Sequence, residues 1–330
     1  MRDLFSHLQK KEEGTAMAKK FISDYKTGDA VDEVFLVKRK EMKTARNGSQ
    51  YIQAELSDQS GVMPARMWDA TQLVFDAFNV DDFVRVRGKI ETYQNMLQLI
   101  IRTVTKEDAT KINIADFLPR TEKDVEEMFA ELKKAVAGMK DPHAVALLNA
   151  FFLDEAFVKN FKWAPAATAF HHAFLGGLLE HTSSIVGLAL KVMDHYPSLR
   201  RDLMVAGCIL HDIGKTRELG YKRTFQYTDE GGLLGHLVMG SIMVQEKADT
   251  IKDFPKETLM ALQHLILSHH GSREFGSPVL PATPEAIALH HLDNLDAKVY
   301  EFTRAIQEDP NPDSNWTEWN RMFERRLYKK

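Results

Sequence analysis

Histidine and aspartate carry the chemistry available to this chain. Of thirteen histidines in 330 residues, eleven fall between positions 171 and 291. In LGGLLEHTSSIVGLALKV, His181 shares a helical face with Leu178, Ile185, Leu188 and Val192, so it points inward. A buried imidazole needs a polar partner. His211 and Asp212 follow the apolar run LMVAGCIL and precede Gly214, which puts an adjacent pair at a helix C-terminus facing the interior. His236 shares a face with Leu233, Gly240 and Met243, and His269 and His270 end the run LMALQHLILSHH just before a glycine. Asp293 and Asp296 ride on a helix with Leu292, Leu295, Val299 and Phe302. Imidazole and carboxylate together suit Mn²⁺, Fe²⁺, Zn²⁺ or Mg²⁺, and the lack of thiolates argues against a structural zinc site. A lone histidine is more often a satisfied core or surface residue. Five on separate inward-facing positions, joined to a His-Asp pair, point instead to a catalytic metal centre.

Those side chains need a helical scaffold, and residues from Asp116 onward provide the pattern for one. Thr121 with Asp124 reads as an approximate capping box for a helix carrying Val125, Met128, Phe129, Leu132 and Val136 on one stripe. Further helices are predicted at Pro142–Phe152, Glu155–Phe161, Phe174–Tyr196, Leu199–Asp212, Leu233–Ala248, Lys256–His270 and Pro284–Glu308, with breaks at Pro197, Gly214, Pro255, Gly271 and Pro310. Trp316, Trp319 and Phe323 at i, i+3 and i+7 predict a C-terminal helix docked on this domain, with Lys329 and Lys330 in solvent.

From Asp29 to Thr105 the period drops to two. Five strands are expected, with a helical segment, DATQLVFDAFN, between the third and fourth; Leu73, Val74 and Phe78 would form its apolar face. Asn47-Gly48, Asp58 to Gly61 and Gln94-Asn95 mark the hairpins. Strand, strand, strand, helix, strand, strand is the order of an OB-fold, a small barrel that often takes single-stranded nucleic acid. The expected fold class is therefore multidomain, an N-terminal all-β OB-fold barrel followed by an all-α domain. The divisions are an extension over 1–27, the barrel over 28–112, a helical connector over 113–160, the histidine-bearing domain over 161–308 and the C-terminal helix over 309–330.

The order His181, then His211-Asp212 in HDIGK, His236 in LLGHL, His269-His270 in LSHHG and Asp293 in LHHLDNLDA resembles the HD superfamily of metal-dependent phosphohydrolases. With GGLLEHT, the GSP of REFGSP and the barrel in front, the chain is similar to the YhaM-type bacterial 3′-to-5′ exoribonuclease family over residues 18 to 305. The resemblance implies that His181, His211, Asp212 and Asp293 hold a first cation and that His236, His269 and His270 hold a second, with Asp212 bridging. The cofactors expected are two divalent metal ions, Mn²⁺ first, with Mg²⁺, Fe²⁺, Co²⁺ or Zn²⁺ as alternatives. Two such ions roughly 3.5 to 4 Å apart suit in-line displacement at phosphorus without a protein nucleophile.

Lys215, one turn beyond the pair, would neutralise a phosphate oxygen; its other reading is a solvated lysine after a helix cap. His171 and His172 lie too far ahead of His181 to join its ligands, so they are assigned to substrate contact, with capping as the alternative. The motif favours Asp293 over Asp296 as ligand, leaving Asp296 to orient one. His264, His290 and His291 match no ligand position. HD enzymes that cleave cyclic dinucleotides carry GYP where this chain has GSREFGSP, which argues against that substrate.

On the barrel, Tyr51 and Trp68 are candidates for base stacking and Arg66, Arg85, Arg87 and Lys89 for phosphates. Trp68 could equally fill the barrel core, and the alternation of Arg85, Arg87 and Lys89 could equally be a solvated outer face. Charge does not suggest a duplex-DNA binder: the net is -4, and residues 1–118 carry 18 cationic and 18 acidic side chains. Three functions compete. They are a 3′-to-5′ exoribonuclease acting on single strands, RNA before DNA, a hydrolase of small or cyclic nucleotides, and a non-catalytic single-strand-binding protein with a structural metal. The first residues lack an apolar signal-peptide core, no apolar run reaches the roughly 18 residues of a membrane helix, and the single Cys208 suits a reducing compartment. The cytoplasm is the expected location, no membrane is expected as a partner, Met17 is an alternative start, and homo-oligomerisation is left open.

Overall fold

A computed structural model describes residues 19–94, 96–168, 172–221 and 223–330. The chain divides into two compact units, Met1–Arg120 with Lys222–Thr224, and Thr121–Tyr221 with Phe225–Lys330.

In the first unit β1 (Ala30–Thr44), β2 (Gln50–Asp58), β3 (Gly61–Met67), β4 (Phe83–Tyr93) and β5 (Met96–Lys106) close into a barrel in the order β1-β2-β3-β5-β4, with α1 (Gln72–Asp76) between β3 and β4. Closure depends on β1, which pairs antiparallel with β2 and with β4 and shifts register between Val37 and Arg39, and on a parallel pairing of β3 with β5. The two-residue period sends Ile52, Ala54 and Leu56 of β2 and Val84, Val86 and Ile90 of β4 into the core, where Phe35, Leu99 and Phe78 meet them. Turn chemistry follows the sequence: Asn47 and Asp58 accept from the amides of Ser49 and Ser60, and Gln94 takes a positive φ, its neighbour Asn95 lying outside the described residues. One expectation fails. Leu73 is 82% exposed, and α1 instead turns Val74 and Phe75 toward the core.

The second unit is helical: α2 (Val125–Ala137), α3 (Pro142–Phe152), α4 (Glu155–Trp163), α5 (Gly177–His195), α6 (Arg201–Leu210), the single turn α7 (Lys215–Glu218), α8 (Asp229–Ala248), α9 (Lys256–Ser268) and α10 (Pro284–Gln307), with a small ladder of β6 (Leu219–Gly220) and β7 (Gln226–Tyr227). Asp124, Asp141 and Asp154 cap α2, α3 and α4 by accepting from amides of the first turn. The cap of α2 is thus Asp124; Thr121 is engaged elsewhere, its hydroxyl donating to Glu180. Buried α6 lies at the centre, packed against α5 and α9, which in turn contact α10.

The C-terminal helix expected at 309–330 does not form. Pro310 and Pro312 interrupt its start, Thr317 pairs with Leu327, and bridges join Trp316 to Tyr328 and Asn320 to Arg325. Of the expected aromatic stripe only Phe323 is buried, its ring 4.2 Å from Phe302, while Trp316 and Trp319 stay half exposed. Lys329 pairs with Asp309 at 2.8 Å and is largely out of solvent. No helix among the described residues is long and apolar enough to cross a membrane.

Candidate metal centre

Side chains from five helices, α5, α6, α8, α9 and α10, meet beside a cavity of about 570 Å³ in the second unit. α5 buries His181 completely; α6 is buried on all sides from Leu203 to Leu210 and delivers His211 at its end, so the following turn places Asp212 beside it. That turn must approach α8 closely, and Gly214 allows it, because a Cβ there would overlap the carbonyl oxygen of His236. In α8, Gly235 sits at φ 72 and breaks the helical path one residue before His236. This kink redirects His236 inward while Leu233 stays 85% exposed, contrary to the shared face expected from a straight helix. His269 and His270 follow the end of α9, and Asp293 projects from α10, where Leu292 is buried but Leu295 and Val299 are exposed, against expectation.

The side chains form two groups around Asp212. On one side, Nε2 of His181 lies 3.4 Å from Nε2 of His211 and 3.2 Å from Oδ1 of Asp293. On the other, Nε2 of His236 lies 3.3 Å from Nε2 of His270. Asp212 turns one oxygen to each: Oδ2 is 3.3 Å from His211, and Oδ1 is 3.4 Å from His236 and 3.5 Å from His269. His181, His211 and Asp293 form one set of mutually close ligand atoms, and His236, His269 and His270 form another.

Each imidazole is held by its other nitrogen. Nδ1 of His211 donates to Cys208 O, that of His269 to Ile266 O and that of His270 to Phe275 O, at 2.7 to 2.9 Å. Nδ1 of His236 meets Glu218 at 3.0 Å, and Nδ1 of His181 meets Asp296 at 2.8 Å. With Nδ1 carrying the proton, a ring in its neutral form turns its Nε2 lone pair to the centre. Imidazole nitrogens brought this close suit a shared cation, and the buried Oδ1 of Asp212 has no hydrogen-bond partner. The donor set, nitrogen and carboxylate without thiolate, therefore fits divalent cations.

The electrostatics gather positive charge at the same place, a proton on His181 standing there in the absence of a metal. Burial works against the ionised form of Asp212, but the charge of Lys215, with the His211 and His269 imidazoles beside it, holds its carboxyl well below the usual range. Asp293 is held low in the same way, chiefly by His181. Burial pushes His269 and His270 toward neutral. His181 would follow, but its hydrogen bonds to Asp293 and Asp296 overcome burial and raise its pKa to about 9. Ionised carboxylates among imidazoles of this kind favour positive charge at the centre.

Lys215 is buried rather than solvated, its ammonium 2.7 Å from Oδ2 of Asp212 on the cavity wall. Asp296 stands behind His181, also accepting from the Ser184 hydroxyl, while Asp293 faces the centre. Substrate contact by His172 is not what the fold provides: it is buried, stacked at 4.1 Å on Tyr300, and it does not line the cavity. His171 lies outside the described residues. His264 accepts from the amide of Ala282, and His290, on the cavity wall, donates to the carbonyl of His269. Glu218 was not anticipated; its one signal is an acid three residues after Lys215 on the same turn.

On the barrel, Trp68 is 44% exposed, so it is not core. Its ring lies 4.9 Å from Tyr51, and the Arg66 guanidinium sits 5.0 to 6.0 Å from the rings of Tyr51, Trp68 and Tyr93. Tyr93 is a further member of this face that sequence reasoning missed. Arg85 and Arg87 are not an open basic ladder: Asp32 pairs with both, at 2.7 and 3.0 Å, and Glu107 also reaches Arg85.

Two family models match the chain, the HD domain over residues 178–298 and the OB-fold nucleic acid binding domain over residues 35–107. The 3'-5' exoribonuclease YhaM of Bacillus subtilis is 39% identical over 286 residues, covering 86% of this chain and 90% of the relative. The protein of the same name from Bacillus licheniformis matches equally, and that from Bacillus pumilus is 38% identical over 291 residues. The barrel, the His-Asp centre and this likeness along most of the sequence together place the chain in the YhaM family of 3′-5′ exoribonucleases.

Proposed function

We propose that the chain is a 3′-5′ exoribonuclease that shortens single-stranded RNA to 5′-mononucleotides, using two divalent cations, Mn²⁺ by preference. The observation that carries the reading is Asp212, whose two oxygens face two separate histidine sets. His181, His211, Asp212 and Asp293 would hold one cation, and Asp212 with His236, His269 and His270 the other. Bound there, the cations supply Lewis acidity toward a phosphodiester and make water a competent nucleophile at neutral pH.

The protein's own part is positional. Asp296, Glu218 and three backbone carbonyls fix the five rings so that no reorganisation is needed when a phosphate arrives. Lys215 keeps its proton beside Asp212, which opposes the effect of burial, and offers a fixed positive charge to the phosphoryl oxygens. The barrel binds strand through Tyr51, Arg66, Trp68 and Tyr93. Stacking of this type contributes roughly 1–3 kcal/mol per base without selecting sequence, as a processive nuclease requires.

Incubation with Mn²⁺ and a single-stranded RNA labelled at its 5′ end should give progressively shorter labelled products and unlabelled 5′-mononucleotides. Immediate release of the label would reverse the polarity. An intact polymer alongside hydrolysis of a small phosphodiester would assign the centre to small nucleotides instead.

A further inference from the structure

The cavity also carries two aromatic side chains that neither the metal centre nor the core uses. Tyr227 and Phe275 line it together with His236 and His270, yet 60% and 69% of their surfaces remain exposed. Large rings left this open gain nothing from burial in the free protein, so packing does not account for them.

Both are anchored beside the groups that orient the second histidine set. The carbonyl of Phe275 accepts the Nδ1 proton of His270 at 2.7 Å, and the surrounding loop is fixed by bonds from Phe275 and Ser277 amides to Ser272 O. Tyr227 pairs with Leu219 in the β6–β7 ladder, directly after Glu218, whose carboxylate holds His236. The next residue, Thr228, donates from its amide to Glu218 O and from its hydroxyl to Arg217 O. The backbones of both rings are thereby held in register with His236 and His270, although the rings themselves stay largely exposed.

From this placement we propose that Tyr227 and Phe275 stack on the 3′-terminal nucleobase and hold its phosphodiester against the metal centre. The proposal rests on the exonuclease reading. A nucleobase offers a π-face whatever its identity, so the clamp would accept each residue in turn. It would also convert binding energy remote from phosphorus into alignment of the scissile bond.

The test compares Tyr227→Ala and Phe275→Ala with wild type on two 5′-labelled RNAs that differ only in whether the 3′-terminal nucleotide has a base. Each substitution should lower kcat/KM on ordinary RNA by about 5- to 150-fold, the range expected for removing one stack. On the abasic RNA, wild type should fall by a similar factor and the variants no further. Phe275→Trp should retain activity on ordinary RNA. Equal losses on both RNAs, or none on either, would overturn the clamp. So would a fall in bound metal matching the loss of activity in Phe275→Ala, which would assign the effect to His270. Failure of wild type to release mononucleotides from either RNA would count against the exonuclease reading itself.

Discussion

The barrel and the helical unit hold charged side chains under opposite conditions. On β4, Arg85 and Arg87 face water and are already matched by Asp32 and Glu107. Around α6, Asp212, Lys215 and Asp293 lie among five histidines on the inner wall of the cavity, most of their surface withdrawn from solvent. Exposed pairs are screened and add little to a fold. A buried ion costs roughly several kcal/mol before its partners offset it, so a cluster survives only where every member has one or where function demands it. Removing a charge from the barrel is therefore a binding experiment. Removing one from the helical unit alters chemistry and folding together.

The largest effect should come from Asp212, the residue shared by both histidine sets. Asp212→Ala is expected to reduce RNA hydrolysis well beyond the roughly 10- to 100-fold typical of residues that only orient a ligand, and beyond His236→Ala. Equal residual rates for the two variants would break the bridging role. Chelation should abolish activity and lower the melting temperature, and Mn²⁺ should restore both, since a ligand that binds only the folded state at 100 times its Kd adds about 2.7 kcal/mol. A melting temperature indifferent to Mn²⁺ would mean that the buried cluster is held by its own hydrogen bonds.

Next in size are Glu218→Gln, which among the candidate ligands touches only His236, at its Nδ1 and its backbone amide, and Asp296→Asn, which touches only Nδ1 of His181. An amide can present its NH₂ to Nδ1, favouring the tautomer whose Nε2 is protonated. Metal affinity should fall by about 10- to 100-fold, read by titration with Mn²⁺, while the fold remains. Losses confined to one cation per chain would show that the two histidine sets fill independently.

How far the sequence revealed these positions depends on how local the determining physics is. The barrel strands and most helix boundaries follow from periodicity and caps, as for Pro142–Phe152 behind Asp141. The inward faces of their helices and the resemblance of the motif series together singled out the seven ligand candidates. What escaped depended on tertiary geometry. Straight-helix periodicity put His236 and Leu233 on one face, but the positive φ of Gly235 separates them. Glu218, Tyr93 and the pairing of Asp32 with Arg85 involve contacts across turns or strands that a pattern within one element cannot show. The C-terminal aromatics had helical spacing, yet Pro310, Pro312 and the Thr317 pairing with Leu327 impose a different path.

The smallest effect separates the two kinds of arginine on the barrel. Taking away one cation that neutralises a phosphate of a single strand should flatten the dependence of log Kobs on log salt by roughly 0.7. Arg66 sits over three aromatic rings with no carboxylate partner among the described ion pairs, so Arg66→Ala should remove one such cation and a stacking platform with it. Arg87 already spends its charge on Asp32. An RNA phosphate would have to displace that carboxylate, leaving Asp32 to repel the strand, so Arg87→Ala should change the slope by much less than Arg66→Ala and leave the melting temperature where it was. A slope change as large as that of Arg66→Ala would mean that Asp32 gives up its arginine when RNA binds. The outer face of β4 would then be a phosphate track that the free protein keeps neutral, and the contrast between an open aromatic face and a closed basic one would fail.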